Sequence, residues 1–176
     1  ITGCDILWTG GSLQEYEGTV RFGNSIQNWG PCERFNVSDC YIYQAYDAGI
    51  TTQAGGPSVM KNAYFRDNVL EYCNMTFELF TGNGGDTGFF NTFISGNMIR
   101  YAGLGLGSQT PEQERKGTFI WGSWSRTEWP YPIENFVFEN NLCLLTSSVS
   151  VNDCNLAFGD HSKGNIYRNN TYIIDT

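Results

Sequence analysis

A short pattern recurs six times along this chain of 176 residues and restricts its fold more than any other feature. Each copy is centred on one residue, which we call the anchor; the six anchors are Cys4, Cys40, Asn68, Asn97, Asn141 and Asn170. The residue three positions before each anchor is apolar, and the residue two positions before it is polar. Such alternation predicts a short strand with one buried face.

The residue immediately before each anchor is of a type that tolerates a left-handed backbone. These six residues are Gly3, Asp39, Asp67, Gly96, Asn140 and Asn169. A second inward site follows two positions after each anchor, occupied by Ile6, Ile42, Leu70, Ile99, Cys143 and Tyr172. The pattern therefore predicts a strand that bends at one left-handed residue and then continues as a second strand.

The spacing of the anchors indicates a repeat architecture. Successive anchors lie 36, 28, 29, 44 and 29 residues apart, by subtraction of their residue numbers, and repeats of about 20 to 50 residues are typical of solenoids, propellers and arrays. We find no long stretch of helical periodicity, and 21 glycines separate short runs of β-branched and aromatic residues. We predict an all-β parallel β-helix of about five to six coils; the alternative is a β-sandwich with coincidental turns.

Stacked coils would make neighbours of residues about thirty positions apart. Parallel strands lie about 4.8 Å apart, so the four Asn anchors are predicted to form a ladder of amide hydrogen bonds. Cys4 and Cys40 would be small buried substitutes in the same column. The same reasoning places Val37, Phe65 and Ile94 in one buried column.

The anchored segments resemble the coils of a known superfamily. This superfamily is the pectate-lyase-like one, whose members are right-handed parallel β-helix proteins. The segments that resemble its coils are VSDCYIYQ (37–44), FRDNVLEY (65–72), ISGNMIRY (94–101) and FENNLCLL (138–145). The resemblance covers nearly the whole chain and implies a right-handed helix. The superfamily includes polysaccharide lyases, glycoside hydrolases, esterases and non-enzymatic fibres and adhesins, so the fold alone does not choose a function.

Composition restricts the partners. With 10 Lys and Arg against 18 Asp and Glu, the net charge is −8, which argues against nucleic acid. No apolar run approaches the roughly 20 residues that span a bilayer. We predict one domain over 1–176 with a long loop insertion at 107–134. The chain starts and ends within a coil, so we expect a longer secreted or extracellular protein, periplasmic or cell-surface locations included, whose flanking segments or domains cap the helix.

A second set of strands predicts a strip of outward side chains. Aligning their apolar sites places Ile26, Ile50, Phe77, Leu104 or Leu106, and Val149 in register. Gln27, Thr51 and Glu78 would then face outward on successive coils, with Trp29, Gln53 and Phe80 two residues further on. Such a strip suits a sugar chain; the alternative is an ordinary solvated sheet face.

Three carboxylates are candidate catalytic residues: Asp47, Glu78 and Asp86. Asp47 precedes two small residues, and Asp86 lies in the glycine-rich loop TGNGGDTG (81–88). Glycoside hydrolysis needs two carboxylates, one that protonates the leaving oxygen and one that activates water or attacks the sugar. The alternative for Asp86 is ordinary turn chemistry.

A polysaccharide lyase would instead need an Arg or Lys base and, in most cases, Ca²⁺. Arg21, Arg100 and Arg126 are the candidates, although Arg100 is better explained by pairing with the acidic surface. Arg21 is also assigned to substrate binding. The six cysteines contain no CxxC pair, which argues against zinc. We predict no metal and no cofactor, with Ca²⁺ only for a lyase. Cys143 with Cys154, or Cys32 with Cys40, are candidate disulfides.

The insertion contains Trp121, Trp124 and Trp129 within nine residues. Aromatic faces and rigidly mounted loops suit sugar binding, so these three join Trp29 and Gln53 as predicted substrate-binding residues; the alternative is a lid packed on the helix itself. Our leading hypothesis is a carbohydrate-active enzyme of the glycoside-hydrolase type. A pectate-lyase-type enzyme and a non-catalytic glycan-binding, fibre or adhesin module are the alternatives.

Overall fold

A computed structural model describes residues 1–10, 23–53, 58–80, 88–104, 118–121, 132–146 and 163–174. These residues form β-strands and the turns that join them, without any helix, so the predicted all-β class is confirmed for this part of the chain. Accordingly, a search of the same residues for a helix able to cross a membrane finds none.

Within the described ranges, sixteen short strands follow one another along the chain. They are β1 (Asp5–Thr9), β2 (Ile26–Trp29), β3 (Phe35–Ser38), β4 (Tyr41–Ala45), β5 (Ala48–Gln53), β6 (Val59–Arg66), β7 (Val69–Glu71), β8 (Met75–Phe80), β9 (Gly88–Ser95), β10 (Met98–Arg100), β11 (Thr118–Trp121), β12 (Ile133–Glu134), β13 (Val137–Glu139), β14 (Leu142–Thr146), β15 (Ile166–Arg168) and β16 (Thr171–Ile174). Most are rich in β-branched and aromatic residues, which suit a pleated, half-buried surface.

The strands assemble into three sheets, and every strand pair among the described residues is parallel. Sheet 1 has the order β1-β4-β7-β10-β14-β16, sheet 2 the order β2-β5-β8-β11, and sheet 3 the order β3-β6-β9-β13-β15, with β12 also paired to β9. From β1 to β11 the chain visits sheets 1, 2 and 3 in turn, so that over this range each sheet gains one strand per unit.

The bend before each anchor is confirmed. All six predicted residues have positive φ: Gly3 (63°), Asp39 (54°), Asp67 (55°), Gly96 (67°), Asn140 (55°) and Asn169 (54°). In the last five units this left-handed residue separates the last strand in sheet 3 from the next strand in sheet 1. Glycine, Asp and Asn recur there because other side chains adopt this backbone at a cost.

The predicted apolar columns form the core. Val37 pairs with Phe65, Phe65 with Ile94, and Ile94 with Phe138, and all four are fully buried. A second column runs through sheet 1, where Ile42, Leu70, Ile99 and Cys143 pair in turn and are buried. Burial of such side chains contributes about 25 cal/mol per Å² of apolar area.

The predicted asparagine ladder is present. The Oδ1 atoms of Asn97, Asn141 and Asn170 each accept two bonds from the preceding anchor, from its backbone N–H and its side-chain amide, at 3.0 or 3.1 Å. The side-chain amide of each asparagine anchor also donates to a backbone carbonyl in the sheet 3 strand of the preceding unit. Asn97 Nδ2, for example, donates to Phe65 O at 2.9 Å. The ladder therefore satisfies buried polar groups at every bend that it crosses.

Sheet 2 corrects one part of the predicted register. Ile26, Ile50 and Phe77 do stack as expected, but the next position belongs to Ile120 and not to Leu104 or Leu106. Leu104 instead ends a turn, with its N–H donating to Tyr101 O at 3.0 Å, and it is exposed. The predicted insertion at 107–134 therefore contains β11. Leu106 and Val149 lie outside the described residues.

The described cysteines Cys4, Cys32, Cys40, Cys73 and Cys143 are free thiols. The candidate disulfide between Cys32 and Cys40 is wrong: both thiols are free, and β3 (Phe35–Ser38) and the bend at Asp39 separate the two residues. Cys154, the candidate partner of Cys143, lies outside the described residues. Burial raises the pKa of the Cys143 thiol to about 12, so Cys143 is protonated at neutral pH.

Gly49 packs where no larger residue fits. A Cβ at this position would lie 2.9 Å from both Leu70 Cδ2 and Thr76 O, and 3.1 Å from Cys73 Sγ. Since Thr76 O belongs to the backbone, we expect Gly49→Ala to lower the free energy of unfolding by about 1–3 kcal/mol, measured by urea denaturation. Lys61→Ala, at an exposed position of β6, should change it by less than about 0.5 kcal/mol; equal effects would contradict the prediction.

Candidate functional site

The outward face of sheet 2 carries the predicted strip of polar side chains. Gln27 pairs with Thr51, and Thr51 pairs with Glu78. Two residues further along the same strands, Trp29 pairs with Gln53, and Gln53 pairs with Phe80. Because adjacent strands lie about 4.8 Å apart, residues some 25 positions apart in sequence become neighbours, as the alignment of apolar sites predicted.

Glu78 is the centre of a hydrogen-bonded group. Its Oε2 atom accepts from Thr51 Oγ1 at 2.9 Å and also from Gln53 Nε2. Gln53 Oε1 in turn accepts from Gln27 Nε2 at 3.0 Å. Three neighbouring strands thus contribute to holding one carboxylate, and the paired amide of Gln53 is fixed between its two partners.

Burial distinguishes this group from a solvated sheet face. Glu78 is 4% exposed, Thr51 0% and Gln53 8%. A carboxylate removed from water is costly unless it is hydrogen-bonded, and the donors from Thr51 and Gln53 meet that requirement. The predicted alternative of a freely solvated strip therefore does not describe Glu78.

Trp29 lies beside this group and is 63% exposed. It stands next to Gln53 on the neighbouring strand. An exposed indole next to fixed amides is a combination that binds sugars, because the ring contacts the apolar face of a sugar and the amides bond to its hydroxyls. The backbone of Trp121, in β11, pairs with that of Glu78, in β8, so Trp121 has the same register position as Glu78.

Asp47 occupies a different place along the strands. It lies in the corner between β4 and β5, is 1% exposed, and donates its N–H to Gly23 O at 3.2 Å. Ala48 pairs with Met75 while Thr51 pairs with Glu78, so Asp47 is offset from Glu78 by four residues, about 13 Å of strand. Glycosidases hold their two carboxyl groups about 5 to 10 Å apart, so the backbone alone does not bring this pair together.

The other predicted site residues lie outside the described part of the chain. They are Arg21, Asp86, Trp124 and Trp129. The lyase candidate Arg126 and most of the glycine-rich loop at 81–88 fall there as well. Their assignments stay predictions.

A second polar cluster lies on the outward face of sheet 1. Glu71 is 6% exposed, forms an ion pair with Arg100, and accepts a hydrogen bond from the Tyr41 hydroxyl at 2.5 Å. This bond raises the pKa of Tyr41 to about 12, so its phenol stays protonated at neutral pH and is a poor base. Arg100 therefore has the pairing role that we favoured over that of a lyase base.

Sequence reasoning did not single out this cluster, although the anchors contained the signal. The position three residues after the anchor carries Tyr43, Glu71 and Arg100 in successive units, and these three residues pair in sheet 1. Tyr43 contacts the Tyr72 ring with centroids 5.7 Å apart, and Tyr72 stacks on Tyr101 at 4.5 Å. The first contact is edge-to-face and the second is stacked, and such ring contacts favour a stabilising role.

Within the described ranges, no group of three or more His, Cys, Asp or Glu side chains is arranged to hold a metal ion. Comparison of the chain with protein-family models, with curated proteins and with solved structures found no match. Function must therefore be argued from the residues and contacts themselves.

Proposed function

We propose that this protein is a carbohydrate-active enzyme of the glycoside-hydrolase type. The observation that carries the proposal is the buried Glu78 carboxylate, held by Thr51 and Gln53 on an outward sheet face beside the exposed Trp29. A buried, oriented carboxylate next to a sugar-binding surface is a combination that glycoside hydrolysis uses.

The scaffold that we propose is a right-handed parallel β-helix like those of the pectate-lyase-like superfamily. Its support is the strand order, in which each sheet receives every third strand from β1 to β11, and the parallel direction of every described strand pair. About 98% of the crossover connections between parallel strands of one sheet are right-handed. The ladder of asparagines and the buried columns are the contacts that would hold successive coils together.

Glu78 would serve as one of the two catalytic carboxylates. Asp47 and Asp86 are the candidates for the second, and the offset of about 13 Å between Asp47 and Glu78 along the strands makes Asp86 the stronger one. Glu78 would act on the glycosidic oxygen, on the anomeric carbon or on water, depending on the position of its partner. Thr51 and Gln53 would keep it oriented during turnover.

The substrate would be a polysaccharide or oligosaccharide held along the strip. Trp29 would contact a sugar face, and Gln27 and Gln53 would bond to its hydroxyls. A net charge of −8 repels polyanions, so neutral glycans are the better candidates. Arg21, Trp121, Trp124 and Trp129 are further proposed binding residues. We also propose an extracellular or secreted location, and flanking segments that cap the stack.

A non-catalytic glycan-binding module is the second candidate. Two observations favour it: Glu78 is 4% exposed, and Asp47 does not share its register position. In that case the Glu78 group would only stiffen the sheet, and Trp29 would bind a glycan that the protein does not cleave.

The deciding experiment is a panel of neutral and acidic polysaccharides, assayed for new reducing ends, for ultraviolet absorbance and for binding. New reducing ends without ultraviolet absorbance support the hydrolase. Unsaturated products that absorb in the ultraviolet and vanish with a chelator would replace it by a lyase. Saturable binding without any product would leave the glycan-binding module, and binding that survives Trp29→Ala would remove Trp29 from either proposal.

A further inference from the structure

The first two anchors are cysteines, and the structure places them side by side. Thr2 bridges to Ser38, and Asp5 pairs with Tyr41, so Cys4 and Cys40 occupy the same register position on adjacent strands. Their Cα atoms are therefore separated by about one strand spacing, roughly 4.8 Å, which lies within the range of about 4.4–6.8 Å that disulfides require.

Both side chains also point the same way. The Cys4 thiol donates to Thr2 O at 3.5 Å, and the Cys40 thiol donates to Ser38 O at 3.2 Å, in each case to the carbonyl two residues earlier. The two sulfur atoms are thus stacked one above the other. Rotation about the Cα–Cβ bonds turns the sulfur atoms towards each other. Because parallel Cβ vectors leave the Cβ atoms about 4.8 Å apart, against about 3.5–4.5 Å in disulfides, closing the bond also draws the two strands slightly together.

The asparagine ladder stops at this point of the stack. Cys40 still donates its backbone N–H to Asn68 Oδ1 at 3.0 Å, but its own side chain has no amide oxygen to offer to Cys4. The rung that joins every later pair of anchors cannot form between the first two units. A covalent bond at this position would replace the missing rung.

We propose that Cys4 and Cys40 form a disulfide site that fastens the first unit to the second. The half-buried Cys4 would react first: its thiolate attacks a small-molecule disulfide, forming a mixed disulfide and releasing one thiolate. The Cys40 thiolate then attacks the Cys4 sulfur and displaces the second. The oxidant gains two electrons, and the two protons lost by the cysteines pass to the released thiolates.

The test uses the intact chain and glutathione disulfide as the oxidant. Peptide mapping by mass spectrometry without reduction should find residues around Cys4 joined to those around Cys40. Because the bond closes a loop across 36 positions, the melting temperature should rise by about 10 °C on oxidation. Cys4→Ser and Cys40→Ser should each abolish this rise. Cys73→Ser, which removes a buried thiol elsewhere in the core, should keep it.

Two results would overturn the inference. One is alkylation of both Cys4 and Cys40 when the oxidised protein is denatured without reductant, which exposes the buried Cys40; the other is a linkage of either residue to a different cysteine. If a serine variant fails to fold, the linkage map of the unmodified sequence decides by itself. The outcome is independent of glycan activity, because neither cysteine lies on the outward face of sheet 2.

Discussion

We expect Glu78→Gln to lower the turnover of a responsive glycan by about 10²–10⁴-fold, the usual contribution of a positioned acid or base. Glutamine has nearly the same shape and retains an oxygen that can accept from Thr51 and Gln53, so the sheet should remain intact. Only the ability to exchange a proton or to attack the sugar is lost. The measurement is kcat from reducing-end release, with circular dichroism to verify the fold.

Glu71→Gln is the matched control. Glu71 is 6% exposed against 4% for Glu78, and it also accepts a hydrogen bond from a hydroxyl group, that of Tyr41. It lies on sheet 1, away from the strip, so its replacement should weaken the pair with Arg100 and leave kcat within about twofold. Equal loss of activity in both variants would assign the effect to the fold, and an active Glu78→Gln enzyme would remove Glu78 from catalysis.

The second carboxylate can be identified in the same assay. If Asp47→Asn leaves kcat unchanged and Asp86→Asn abolishes it, the pair is Glu78 with Asp86. The reverse result would mean that the side chains of Asp47 and Glu78 close the offset of about 13 Å between their backbone positions. Full activity in both single variants would exclude Asp47 and Asp86 as the second carboxylate.

The interior of this protein could be predicted from its sequence because stacking repeats the same environment. A column such as Val37, Phe65, Ile94 and Phe138 requires an apolar residue at one offset in every unit. Each bend likewise requires a residue that tolerates positive φ. These two requirements recur at the same distance from each anchor, so a single sequence shows the same pattern of residue types several times.

The turns between strands carry no such repetition, and there the prediction failed. Leu104 has the right polarity for the sheet 2 column, but the strand begins fourteen residues later, at Thr118. The length of a surface connection is weakly constrained by the free energy of folding, so a sequence pattern cannot locate the next strand. The separation of Asp47 from Glu78 became readable only with the observed register of β5 and β8.

The Glu71 cluster was missed for a different reason. Its three residues occupy the same position relative to their anchors. An outward column of tyrosine, glutamate and arginine is typical of a solvated surface, however, and the sequence does not reveal that Glu71 is buried. Burial on an outward face depends on what covers the sheet, which the repeat pattern does not describe. The same argument applies to Glu78, whose neighbours were predicted while its burial was not.

Asn97→Ala should have the largest effect on stability. Asn97 is 1% exposed; its Oδ1 accepts from the backbone and side-chain amides of Asn68, and its Nδ2 donates to Phe65 O and Asn141 Oδ1. Alanine removes these bonds and leaves the Asn68 N–H and the Phe65 carbonyl buried without them. At about 1–3 kcal/mol for each orphaned group, the free energy of unfolding should fall by about 3–5 kcal/mol, measured by urea denaturation.

Asn91→Gly provides the matched control on the other side of the same stack. Asn91 belongs to an outward ladder, in which its amide donates to Asn62 and its oxygen accepts from Asn135, both at 3.0 Å. Its side chain is only half-buried, so water can replace the lost bonds, and glycine keeps its φ of 57° without strain. The expected loss is about 1 kcal/mol or less. If Asn91→Gly destabilised the protein as much as Asn97→Ala, the buried ladder would not be what holds the units in register.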